Sequence, residues 1–137
     1  MTAAATTKLI ARYYAAFNSQ DVAGMLDCLG PGFVHDVSQG ARRRGKARFA
    51  EFLAHMNRSY RERLSNIVIM TDATGAHAAA EFDLAGTYLV TDPGLPKARG
   101  QSYRLRVGAF FEVKKGRIAR VSTHYNLGDW KRQVLGR

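Results

Sequence analysis

Asp36 is the residue whose setting points most directly to chemistry. It closes the run FVHD at Phe33 to Asp36, just before the turn residues Ser38, Gln39 and Gly40. A carboxylate among apolar neighbours is poorly solvated, so its pKa rises and it can take up and return a proton. The end of a strand equally suits a carboxylate that only accepts backbone N–H hydrogen bonds. His35 adjoins Asp36, but successive strand residues point to opposite faces, so the two cannot act as a dyad on one substrate. His124 and Tyr125 stand in the same relation. His55 falls at the edge of an apolar helical face, within reach of a pocket mouth, and His77 reads as a turn residue. No metal is expected: His35, His55 and His124 lack ligand spacing, and the single cysteine, Cys28, excludes both a cysteine cage and an intramolecular disulfide.

Tyr13 is the second candidate. It belongs to the stripe Leu9, Ile10, Tyr13, Tyr14, Phe17, whose spacing predicts an amphipathic helix capped by Thr6 or Thr7. A buried phenol needs an acceptor, either water or a substrate carbonyl. A shorter helix carries Val22, Met25, Leu26 and Leu29 inward and stops at Gly30-Pro31-Gly32, which releases the strand that ends at Asp36. The arginines 42–44 read as a solvated basic turn. A third helix, from about Lys46 to Tyr60, buries Phe49, Phe52, Leu53, Met56 and Tyr60. Strands follow at Leu64–Thr71, Ala78–Val90, Ser102–Val113 and Arg117–Leu127, and Asp129, Trp130 and Val134 suggest a last helical turn. Three helices with one inserted strand, then a four-strand meander, predict an α+β fold in which a twisted antiparallel sheet wraps the helices and leaves a cavity between them.

The totals agree with one domain over residues 1–137. The chain is 46% hydrophobic and 23% charged, ordinary for a globular protein, and no apolar run approaches the roughly 20 residues of a membrane span. A transit peptide is weighed for the first twenty residues, which carry Lys8 and Arg12 ahead of any acid, but the core periodicity there argues against it. The lone cysteine suits a cytoplasmic location. The net charge of +10 either favours polyanions or simply keeps the protein in solution. However, the cations are dispersed and no aromatic platform is interleaved with them, so a nucleic-acid partner is not expected.

The stretches ARYYAAFN, FVHDVSQG, GKARFAEFLAHM, AAAEFDLAGTY and GAFFEVKKGRIARVSTHYNL together resemble the nuclear-transport-factor-two-like superfamily, in its ketosteroid-isomerase-related and SnoaL-like polyketide-cyclase branch. The resemblance spans nearly the whole chain. It implies a cone-shaped curved sheet packed on N-terminal helices (a cystatin-like α+β barrel), and a homodimer formed through the outer face of the sheet. By local match the proton-moving acid falls on Asp36, the oxyanion-holding tyrosine on Tyr13, and the second oxyanion donor near Ala109, which has no proton to give. Tyr60, Tyr88, Thr123 or Tyr125 would have to replace it.

The expected activity is a cofactor-independent isomerisation or cyclisation of a hydrophobic carbonyl compound, bound in the cone among Phe17, Phe52, His55, Met56, Phe82, Tyr88, Ala109, Phe111, Thr123 and Tyr125. The alternative is a non-catalytic module of the same fold that binds a small ligand or a protein. A third possibility, the acid–arginine water activation of the superfamily's epoxide hydrolases, would use Glu81 or Asp83 with Arg104 or Arg106, but their alternation with Phe82 and Leu84 places these acids on the outer face.

Overall fold

The computed structural model describes residues 2–136. Four helices, α1 (Ala3–Asn18), α2 (Val22–Asp27), α3 (Lys46–Ser59) and α4 (Leu127–Leu135), pack on six strands. These are β1 (Leu29–Asp36), β2 (Arg42–Arg44), β3 (Tyr60–Thr71), β4 (His77–Tyr88), β5 (Ser102–Lys114) and β6 (Arg117–His124). The strand order is β2-β1-β6-β5-β4-β3. The meander β3 to β6 is antiparallel as expected, but β1 joins β6 in parallel, so the sheet is mixed. The three arginines form a short strand against β1, where a turn was expected.

Local chemistry sets the helix boundaries. Thr2, not Thr6 or Thr7, caps α1 by accepting from the Ala5 N–H, while Thr6 is buried and donates to the Gly75 carbonyl at 2.6 Å. Asp21 caps α2 through the Gly24 N–H, and a Cβ on Gly24 would come within 2.3 Å of the Asp21 carboxylate. Asn126 caps α4, which ends at Gly136 in the left-handed conformation.

Side-chain amides close exposed strand edges. Asn18, the last residue of α1, donates to the Leu64 carbonyl at 3.0 Å and accepts from the Leu64 N–H at 2.9 Å, completing the outer edge of β3. Gln133 of α4 does the same for Arg104 in β5, beyond the point where β6 stops pairing. These pairs satisfy backbone groups that would otherwise be orphaned, and they fix where α1 ends and where α4 lies. A bulge between Ser65 and Val68, with Asn66 at φ 52°, bends β3.

The core fills the space between helices and sheet. Tyr14 meets Phe82 edge-on at 5.1 Å, and Tyr13 meets Phe111 at 6.0 Å. Rows of inward residues on β3, β4 and β5, such as Leu64–Leu84–Leu105, form the floor.

Candidate active site

The first outcome concerns Asp36. β1 runs parallel to β6 with His35 beside Val121 and Asp36 beside Ser122. Val121 is buried and faces the core, so His35 turns inward and Asp36 outward. Outside, Arg42 donates to one Asp36 oxygen at 2.8 Å and Arg120 to the other at 2.6 Å, with Glu112 on the far side of Arg120. The Arg42 hydrogen bond, seconded by Arg120, holds the Asp36 carboxyl below its ordinary pKa. This corrects the expectation of a raised pKa in an apolar pocket: two guanidinium groups favour the charged form more than partial burial disfavours it. Tyr13 is on the other side of the sheet, buried on α1, and burial raises its pKa. The fold therefore does not bring Asp36 and Tyr13 together.

His35 occupies the inward place. It is 6% exposed, boxed by Phe33, Phe49 and Phe52, and its Nδ1 has no hydrogen-bond partner. Burial, then the charge of Arg43, lowers its pKa to about 4, so at neutral pH the ring is uncharged.

The inner faces of β3, β4 and β5 carry a polar cluster beyond the C-terminal end of α1. Tyr60 pairs across the sheet with Tyr88, and Glu62 pairs with Gly86, which pairs with Tyr103. The Tyr103 hydroxyl donates to Glu62 Oε2 at 2.6 Å. Gly86 lies between them, and a Cβ there would sit 2.3 Å from the tyrosine ring, so only glycine lets the ring lie across the strand. Burial pushes the Glu62 carboxyl above its ordinary pKa, against the Tyr103 hydrogen bond, which lowers it.

A second acid completes the cluster. Asp92, in the β4–β5 connection, accepts from Tyr60 at 2.7 Å and lies 2.9 Å from His55 Nε2 of α3. Tyr88 stacks on Tyr60 at 5.4 Å, accepts from the Asp92 N–H and donates to the Pro96 carbonyl, which pins the connection against the cone. Trp130 of α4 packs edge-on against Tyr60, Tyr88 and Tyr103. Tyr125 is half-buried. Its pKa is raised by burial, then by Glu62 and Asp92, so its ring lies within the field of both acids.

The residues expected to line a ligand space divide accordingly. His55, Tyr88 and Tyr125 join the cluster. Phe52 and Met56 are half-buried on α3, and Phe17 is half-buried on α1. Phe82, Ala109 and Phe111 are buried in the core, and Thr123 pairs with Ala109 on the inner row. A depression of about 680 Å³ touches none of these ten; its lining runs from Asn18 to Gln133 and includes Glu62, Gly86 and Tyr103. Glu81 and Asp83 lie outside, as expected, and are paired with Arg106. No group of three or more potential metal ligands occurs among the described residues.

Sequence reasoning missed Glu62, Asp92, Tyr103 and Trp130. The stretch RERL at 61–64 offered a signal, because it extends the alternation of β3 and places an acid on the apolar face.

The SnoaL-like domain model matches residues 10–121, most of the chain. The chain belongs to the SnoaL-like family. No functionally curated protein matches it. This SnoaL-like chain is 54% identical to a "putative polyketide cyclase" of Pseudomonas putida KT2440, with 98% of each chain covered and a TM-score of 0.93. A protein of the same description from Silicibacter sp. TM1040 is 48% identical, with 98% of each chain covered and a TM-score of 0.94. One from Xanthomonas campestris is 47% identical over 95% of this chain and 96% of its own, with a TM-score of 0.92. The cone-shaped α+β architecture is thus shared throughout the length of these relatives. No described helix of the SnoaL-like chain is long and apolar enough to cross a membrane.

Proposed function

We propose that this SnoaL-like protein catalyses a cofactor-independent cyclisation or isomerisation of a hydrophobic carbonyl compound, with Glu62 as the proton carrier. The observation that carries this reading is the half-buried Glu62 carboxyl, raised in pKa and engaged by Tyr103 through Oε2, which leaves Oε1 available. A raised pKa brings a carboxylate closer to the basicity needed to remove a proton next to a carbonyl, and makes the acid formed a competent donor afterwards. In this reading Tyr125, which lies within the field of Glu62, donates to the carbonyl oxygen as negative charge develops. The resulting enolate is reprotonated by Glu62 at a second carbon in an isomerisation, or attacks a second carbonyl carbon in a cyclisation. In the latter case the new alkoxide takes the proton. His55 and Asp92 hold the β4–β5 connection beside this centre. The family and its polyketide-cyclase-described relatives support the reaction class.

The test compares Glu62→Gln and Asp36→Asn on a panel of β-polyketones and steroid enones. Glu62→Gln is expected to lower kcat by about 10²–10⁴, while Asp36→Asn leaves turnover near the parent value. Undiminished turnover by Glu62→Gln, or its collapse in Asp36→Asn alone, sinks the assignment.

The outer face suggests its own partner, a second copy of the chain. Phe110 is 60% exposed there, with Val68 and Met70 also exposed on β3, across β4 from it. Sedimentation of Phe110→Glu against the parent checks this: a parent that is already monomeric removes the proposal.

A further inference from the structure

On the outer face of the sheet, some arginines are paired with acids and others are not. Arg106 pairs with Glu81 and Asp83, and Arg120 with Asp36 and Glu112. Arg61, Arg63 and Arg104 share this face and make no ion pair among the described residues, although Asp83, one row away, lies within the field of Arg104. Their arrangement follows from register. Arg63, Ala85 and Arg104 form one row across β3, β4 and β5, and Arg61, Thr87 and Ser102 form the next. Long cationic side chains therefore stand on the outer strands while the middle strand offers only Ala85 and Thr87. Adjacent strands lie roughly 4.8 Å apart, so the walls of this trough are about 10 Å apart. The trough is part of the 680 Å³ depression, which Asn18, Gln20 and Gln133 also line.

Like charges gathered without counter-charge cost stability unless an anion occupies them, and arginine forks match phosphate and carboxylate geometry. We propose that this trough is a binding site for a small polyanion, a molecule carrying two or more adjacent phosphate or carboxylate groups. Arg63 and Arg104 grip it from the two sides, Arg61 extends one wall, and the Thr87 and Ser102 hydroxyls supply neutral donors. The apolar strip at Val68, Met70 and Phe110 lies farther along the same face, beyond the Ser65–Asp83–Arg106 row. Glu62, Gly86 and Tyr103 line the same depression, but they alternate with the arginine rows and turn their side chains to the inner face, so the trough does not use the Glu62 carboxyl.

Titration calorimetry of the full chain at low salt, with inorganic pyrophosphate and with citrate as separate probes, tests the proposal and separates the two anion classes. Saturable one-to-one binding of either probe is expected, weakened at least tenfold by Arg63→Gln with Arg104→Gln. Ala85→Leu, which fills the trough without changing charge, should weaken it comparably. Arg44→Gln with Arg48→Gln, an equal loss of charge elsewhere, should leave it unchanged. No saturable binding of either probe, equal weakening by the Arg44/Arg48 pair, or no effect of Ala85→Leu overturns the assignment. So does tight binding of a single-stranded RNA oligomer with neither small anion competing.

Discussion

The Tyr103 hydroxyl reaches across Gly86 to donate a 2.6 Å hydrogen bond to Glu62, joining β5 to β3 over the bare backbone of β4. The contact requires the middle strand to carry no side chain at that point. Gly86→Ala would place its Cβ within 2.3 Å of the ring. The ring must swing away, at a cost of about 1–3 kcal/mol from overpacking. Chemical denaturation should register that loss. An unchanged midpoint would mean that the ring has room to move.

Glu62 makes stability fall as pH rises. Its folded pKa exceeds the ordinary 4.5, so the native state holds the proton more tightly than the unfolded chain. The associated stabilisation is complete below 4.5 and is lost as pH rises through the raised folded value. Glu62→Gln should remove this part of the pH dependence, which shows as a flatter profile of melting temperature above pH 4.5. Tyr103→Phe should displace the titration of Glu62 further upward, because it deletes a hydrogen bond that favours the charged form. Carboxyl NMR would detect a shift in the opposite sense.

His35 acts in the reverse direction. Its folded pKa of about 4 lies below the ordinary 6.5, so stability is fully present above 6.5 and is lost as pH falls toward 4. A displacement of that size is worth on the order of 3 kcal/mol. His35→Phe fits a site already walled by Phe33, Phe49 and Phe52, and it removes the orphaned Nδ1. The variant should be more stable than the parent between pH 4 and 6.5 and should lose the acid-induced decline. Retention of that decline would assign it to another group.

Asp36 also favours neutral pH, but its window lies lower. Its pKa is depressed from 3.8 by Arg42 and then Arg120, so its contribution is present above 3.8 and is lost as pH falls through the depressed value. Asp36→Asn should weaken the protein mainly at neutral pH and narrow the difference from the parent in strong acid. A deficit that stays constant down to pH 2 would point to packing rather than charge.

Much of the fold was legible along the chain because its periods are local. The stripe from Leu9 to Phe17 produced α1, and the alternation through Phe82 and Leu84 fixed which residues of β4 are buried. Even the outward position of Glu81 and Asp83 followed from that alternation. Among the boundaries that moved, two did so because a competing partner lies outside the local pattern: Tyr60 leaves α3 to pair with Tyr88, and the three arginines form a strand because β1 offers them an edge.

The sequence by itself determined the α+β class, the curved meander, the opposition of His35 to Asp36 and the absence of a cysteine-based metal cage. Alternation assigns neighbours to opposite faces, but does not say which face looks inward. For β1 that was decided by its parallel register with β6, which set His35 beside the buried Val121 and left Asp36 to the arginines outside. Only the tertiary structure assembled Glu62, Asp92, Tyr103 and Trp130, which are separated in sequence and meet because three strands, a connection and the last helix converge at one end of the cone.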